Sequence, residues 1–227
     1  MIINPILEEI YRTEPVIRAF GEDHQAVRIG IPQSLAETLY HLIRENSLKQ
    51  TLEIGMAFGL STIAICQALR ENSGNRHIAI DPFQVVLYKY AGMRNLERAG
   101  LADLAELYLQ KSHLILPILL QKRQVFDFIF IDGSHLFDYV MIDFFYSSYL
   151  IPVNGLICMD DIDMPSVANA LAFIKSNLKN FSVVEQTERF CVLRKVVGDD
   201  RRLWYHFKPF TGMSKDGEQY YQDYLNS

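Results

Sequence analysis

Short apolar runs alternate with longer stretches of helical spacing along most of this chain. QTLEI (50–54), HIAI (77–80), LAELYL (104–109), FDFIFI (126–131), GLICM (155–159), FSVVEQ (181–186) and FCVLRK (190–195) have the length and the β-branched or aromatic content of strands. Between the first six lie segments of helix length at 61–72, 84–99, 112–123, 136–150 and 165–179. That alternation predicts an α/β fold with a doubly wound, seven-stranded, mostly parallel sheet. Only Thr187, Glu188 and Arg189 separate the last two strands, a link too short for a crossover, so the last strand is expected to run antiparallel.

The flanks differ from this core, which spans 49–198. Residues 1–48 read as a helical cap, with Leu35, Leu39, Leu42 and Ile43 of SLAETLYHLIREN (34–46) on one face. The tail, 199–227, is aromatic yet polar; it is expected to lie over the domain or against a second copy, which makes a homodimer an expectation, with a substrate lid as the competing reading. Composition narrows the function classes. With 49% hydrophobic residues among 227, the chain can bury one domain-sized core and is neither disordered nor fibrous. A net charge of −5 without a long basic run argues against nucleic acid as a partner. No stretch reaches the ~18 apolar residues of a membrane span, and MIINPILEEIYRTEP lacks the basic-then-apolar pattern of a secretory leader. Cys66, Cys158 and Cys191 are far apart and odd in number, which fits a reducing, cytoplasmic setting.

Chemistry enters at TLEIGMAFGLST (51–62), where strand gives way to helix. Gly55 and Gly59 permit a tight backbone turn, and Ser61 or Thr62 is placed to cap the helix that follows. Such a turn alone is often only a corner. The next strand adds Asp81 at its carboxyl end, 22 residues beyond Gly59, close to the ~20 expected of a nucleotide-binding βαβ unit. A carboxylate there can accept both hydroxyls of a ribose. The glycines are spaced Gly-x-x-x-Gly, without the GxG opening that brings backbone against a pyrophosphate, which favours a nucleoside ligand without phosphates.

These residues resemble the first motif of class I S-adenosylmethionine-dependent methyltransferases, an acidic residue followed by Gly-x-x-x-Gly, here Glu53, Gly55 and Gly59. The resemblance extends over roughly residues 30–197. It implies that Gly55, Met56, Gly59 and Ser61 line the methionine end of the cofactor, that Glu53 helps organise it, that Asp81 binds the ribose and that Ser112 touches the adenine. A helix cap is the competing role for Ser112.

Two acidic clusters should stand at the same sheet edge: Asp132 with His135 in DGSH after the fourth strand, and Asp160 with Asp161 after the fifth. Three carboxylates held close repel, and a divalent cation supplies compensating charge and prefers oxygen ligands. Solvated or helix-capping aspartates are the competing reading. The intervals of 28 and 29 residues from Asp132, together with DGSH, are similar to metal-dependent O-methyltransferases that act on sugars and antibiotics. That similarity implies Mg²⁺ or a like ion on Asp132, Asp160 and Asp161, His135 as general base, Asp132 as its catalytic neighbour, and a small polar hydroxyl acceptor. A nicotinamide-dependent oxidoreductase and a non-catalytic nucleoside-binding module are the alternatives.

Overall fold

The structure, a computed structural model, describes residues 3–13, 16–18, 26–28, 30–198 and 201–212. Its contacts divide the chain into two compact units, Met1–Lys111 and Ser112–Ser227. In the first unit α1 (Pro5–Thr13), β1 (Val16–Arg18), β2 (Ala26–Arg28) and α2 (Gln33–Glu45) precede β3 (Gln50–Ile54), α3 (Leu60–Glu71), β4 (Arg76–Ile80), α4 (Ala91–Arg98) and β5 (Ala105–Tyr108). The second holds α5 (Ser112–Gln121), β6 (Phe128–Ile131), α6 (Phe137–Leu150), β7 (Leu156–Met159), α7 (Pro165–Asn177), β8 (Phe181–Gln186) and β9 (Cys191–Lys195).

The main sheet has seven strands in the order β5-β4-β3-β6-β7-β9-β8. β3 and β4 pair in parallel, as do β4 with β5 and β6 with β7, whereas β9 is antiparallel to both β7 and β8. Both the doubly wound fold and the reversed last strand are therefore as expected. Burial follows sequence: FIFI of β6 and LICM of β7 are apolar at every position and buried at every position, as strands covered on both faces must be. At the rim, β8 alternates little and is exposed along most of its length.

Two expectations are corrected. The cap at 1–48 is not wholly helical, because β1 and β2 form a small antiparallel pair between α1 and α2. The helix expected over 84–99 is reduced to Ala91–Arg98. Residues before it are drawn instead onto the end of β4: the Asp81 side chain accepts the Phe83 N–H, Gln84 reaches back to Asp81, and Lys89 and Tyr90 take left-handed backbone angles (φ 49° and 59°). Part of the tail, 213–227, lies outside the described residues.

Candidate active site

The first unit builds its site on the β3–α3 turn. Gly55 (φ 94°), Ala57 (φ 45°) and Gly59 (φ 79°) are all left-handed, and Gly59 serves as N-cap of α3. A Cβ on Gly59 would sit 3.0 Å from the Gly92 carbonyl oxygen, so backbone crowding also demands glycine there. No side chain caps this helix, contrary to the expectation for Ser61 or Thr62. Ser61 is buried. Thr62 turns inward, donating to Glu53 Oε2 at 2.6 Å, since a buried carboxylate needs donors more than a glycine-capped helix needs a hydroxyl.

Glu53 is wholly buried on β3. Its Oε2 is also 3.2 Å from His77 Nε2, and His77 Nδ1 is 2.8 Å from Thr51 Oγ1. The register explains this chain of contacts, because β3 and β4 set Thr51 opposite His77. His77 therefore belongs to a buried polar network. Glu53 Oε1 has no hydrogen-bond partner among the described residues.

Asp81, just past β4, is the hub of the turn. Its Oδ2 accepts from the Met56 N–H (3.2 Å), the Ala57 N–H (2.8 Å) and Gln84 Nε2 (2.9 Å), while Oδ1 accepts from the Phe83 N–H (2.8 Å). Gln84 Nε2 also reaches the Ala57 carbonyl at 2.6 Å. A carboxylate offers about four lone-pair sites, so Oδ2 is saturated and Oδ1 retains the capacity for a further donor. Gln84 is fully buried, and its Oε1 has no hydrogen-bond partner among the described residues. Two buried acceptors near the turn, Glu53 Oε1 and Gln84 Oε1, thus suit a ligand that brings ammonium and hydroxyl donors.

The second unit carries a different kind of site. The β7 end places Asp160 and Asp161 in sequence, with Asp161 left-handed at φ 53°. Arg189, in the β8–β9 link, grips Asp160 with both arms: Nε to Oδ1 at 2.9 Å and Nη2 to Oδ2 at 2.8 Å. The same Nη2 lies 2.9 Å from Asp161 Oδ1. On the other side, His135 Nε2 is 2.9 Å from Asp161 Oδ2 and 3.6 Å from Asp132 Oδ1. The former is a close ion pair rather than a directed hydrogen bond, because Nε2 has no well-aligned acceptor.

Electrostatics follow from that packing. Burial pushes the Asp132 carboxyl up, and the charges of Asp160 and Asp161 add to this, against His135. Burial also raises Asp160, with Arg189 opposing. For Asp161 the balance goes the other way: burial opposes ionisation, but His135 and Arg189 outweigh it and hold the carboxyl below its usual range. Burial would lower His135, yet Asp132 and Asp161 prevail and raise it to about 10. Nearer α5, burial raises Asp143 to about 7 in spite of a hydrogen bond from Ser112. Ser112 opens α5 and is itself buried.

Of the residues expected to bind metal, Asp132 and Asp161 come together with His135, their ligand atoms within 4.8 Å of one another. Asp160 instead directs both oxygens at Arg189. Three carboxylates face two cations, Arg189 and protonated His135, leaving about one net negative charge. As arranged, the three aspartates do not fit a divalent ion. Arg189 carried no readable signal, since an arginine in a three-residue hairpin link reads as solvated; only the pairing of β9 with β7, Cys191 opposite Met159, brings it to the acidic pair.

A β3 glycine turn, an acidic β4 end and the reversed last strand together describe the class I methyltransferase fold. Residues 52–162 match the family model of a methyltransferase domain. The O-methyltransferase TomG from Streptomyces achromogenes, involved in tomaymycin synthesis and solved with S-adenosylmethionine, is 19% identical with a TM-score of 0.69, over 86% of this chain and 91% of its own. An O-methyltransferase from Bacillus cereus, in complex with S-adenosylhomocysteine, is 21% identical with a TM-score of 0.67, over 84% and 90%. The methyltransferase PaMTH1 of Podospora anserina, bound to S-adenosylhomocysteine, is 16% identical with a TM-score of 0.62, over 84% and 88%. At these identities the likeness establishes the fold. No curated protein matches the chain in sequence. Among the described residues, no helix is long and apolar enough to cross a membrane.

Proposed function

We propose that this chain is an O-methyltransferase acting on a hydroxyl of a small polar acceptor, sugar-like or a natural product. The observation that carries the reading is the acid–base cluster of Asp132, His135 and Asp161 in a chain that also has a nucleoside-type turn after β3. The catalytic core spans 49–198, flanked by the N-terminal segment 1–48 and the tail 199–227. S-adenosylmethionine, when bound, supplies an electrophilic sulfonium methyl; the acceptor oxygen takes it in line, the carbon–sulfur bond breaks, and S-adenosylhomocysteine leaves.

Gly55, Met56, Gly59 and Ser61 form the methionine cradle, supported by Glu53 through Thr62. Asp81 binds the ribose through the remaining capacity of Oδ1, and Ser112 serves the adenine. The hydroxyl proton of the acceptor goes to the Asp132–His135 pair. Within it, His135 is cationic at neutral pH, which makes Asp132, raised towards neutrality, the group that accepts the proton. This shifts the base from the imidazole to its carboxylate neighbour. The divalent ion implied by family resemblance does not fit beside Arg189, and no step passes through it. A cytoplasmic location and a homodimer joined through the tail, where Trp204 is 90% exposed, complete the reading.

Labelled methyl transfer from S-adenosylmethionine to a panel of polyhydroxylated acceptors tests the activity. Label in an ether, lost on Asp132→Asn with S-adenosylhomocysteine binding intact, is the expected result. Label reaching only amines or carbon acceptors would sink the hydroxyl reading.

A further inference from the structure

The acidic edge of the second unit is already largely balanced by cations of the chain itself. Asp160 is a buried carboxylate, and its only charge-balancing hydrogen bonds among the described residues come from the Arg189 fork at 2.9 and 2.8 Å. A guanidinium is permanently charged, and its planar fork matches the two oxygens of a carboxylate. The third contact, Nη2 to Asp161 Oδ1 at 2.9 Å, ties the second aspartate to the same cation.

The arginine is not a loose surface residue that happens to fall there. Its carbonyl accepts the Ile162 N–H at 2.8 Å, so backbone and side chain both clasp the segment carrying the two aspartates. The link itself is closed by Thr187, whose N–H donates to the Phe190 carbonyl at 2.9 Å and whose Oγ1 accepts from the N–H groups of Arg189 (3.2 Å) and Phe190 (3.1 Å). Asp161, in the left-handed region at φ 53°, is held between this clasp and His135, 2.9 Å from its other oxygen. The side chain of Arg189 is still 38% exposed, so the cation stands at the open side of the cluster.

We propose that Arg189 is a built-in counter-ion that occupies the electrostatic place of a divalent cation, excludes such an ion from Asp132, Asp160 and Asp161, and positions Asp161 against His135. The proposal rests on the methyltransferase reading for its functional meaning: methyl transfer by this chain then needs no added metal. Where a dissociable ion would leave the carboxylates to repel one another on chelation, the arginine cannot be stripped away.

Mn²⁺ binding, followed by electron paramagnetic resonance on the full chain, tests this apart from turnover. The wild type is expected to bind Mn²⁺ no more tightly than about millimolar. Arg189→Met, which removes the charge and keeps an unbranched apolar stem, should gain at least 10-fold in Mn²⁺ affinity, while Arg189→Lys, which keeps the charge, should stay near the wild type. Micromolar one-to-one Mn²⁺ binding by the wild type overturns the proposal, and so does equal binding by all three proteins. Should Arg189→Met fail to fold, the wild type and Arg189→Lys decide: tight binding by either one overturns it, weak binding by both supports it. Titration of each protein with S-adenosylhomocysteine keeps the two ideas separate, because its loss in the wild type strikes the methyltransferase reading and leaves the ion-exclusion result standing.

Discussion

Asp81 and Asp160 both sit just beyond buried parallel strands, and they are satisfied in opposite ways. Asp81 is held by neutral donors, three backbone N–H groups and the Gln84 amide, all within its own βαβ neighbourhood. Asp160 is held by an ionised guanidinium from a link 29 residues further along the chain. Neutral donors leave a carboxylate its full charge and its appetite for further hydroxyl donors, as a ribose-binding residue requires. An ionic fork consumes that charge and leaves the neighbouring Asp132 and His135 to handle a proton.

The largest effect expected from breaking this contrast is at the ionic end. Asp132→Asn should lower kcat by about 10²–10⁴-fold, the range of a lost general base, with S-adenosylhomocysteine affinity nearly unchanged. A variant retaining wild-type kcat would move the base elsewhere. At the neutral end, Asp81→Ala should weaken S-adenosylhomocysteine by about 10–100-fold in calorimetry, the equivalent of one or two hydrogen bonds to a charged group. An unchanged affinity would mean that Asp81 serves only to staple the turn.

A third variant sharpens the comparison through stability. Because the folded Asp143 carboxyl is raised to about 7, the folded state holds its proton more tightly than the unfolded chain does. Its contribution is complete below about pH 4 and is lost as the pH rises through about 7. Asp143→Asn, a neutral mimic, should therefore be more stable than wild type at pH 8 by roughly 1–3 kcal/mol and differ little at pH 4. Parallel denaturation curves at the two pH values would speak against a protonated Asp143. The smallest change expected is that of Thr62→Val, which removes one donor from the buried Glu53 while His77 remains and should cost about 0.5–1.5 kcal/mol at neutral pH.

The same contrast explains what could be read from the sequence. The glycine turn and Asp81 were legible because their geometry is local: Gly-x-x-x-Gly and a carboxylate one strand later define it almost unaided. DGSH and the Asp160–Asp161 pair were legible as an acidic edge. Their compensation was not, because Arg189 reaches them only through antiparallel pairing of β9 with β7. Helix 84–99 was overextended for a related reason: helical spacing is visible in sequence, whereas the pull of the Asp81 carboxylate on Phe83 and Gln84 is a tertiary effect. Thr62 likewise reads as a cap until burial of Glu53 is known, and the small β1–β2 pair lacks any strong alternation in its three-residue strands.

The most direct test of the central claim is calorimetric titration of the full chain with S-adenosylhomocysteine and, separately, with NAD. One-to-one binding of S-adenosylhomocysteine, with no detectable heat from NAD, is the predicted result. Saturable binding of NAD with no response to S-adenosylhomocysteine would contradict the account.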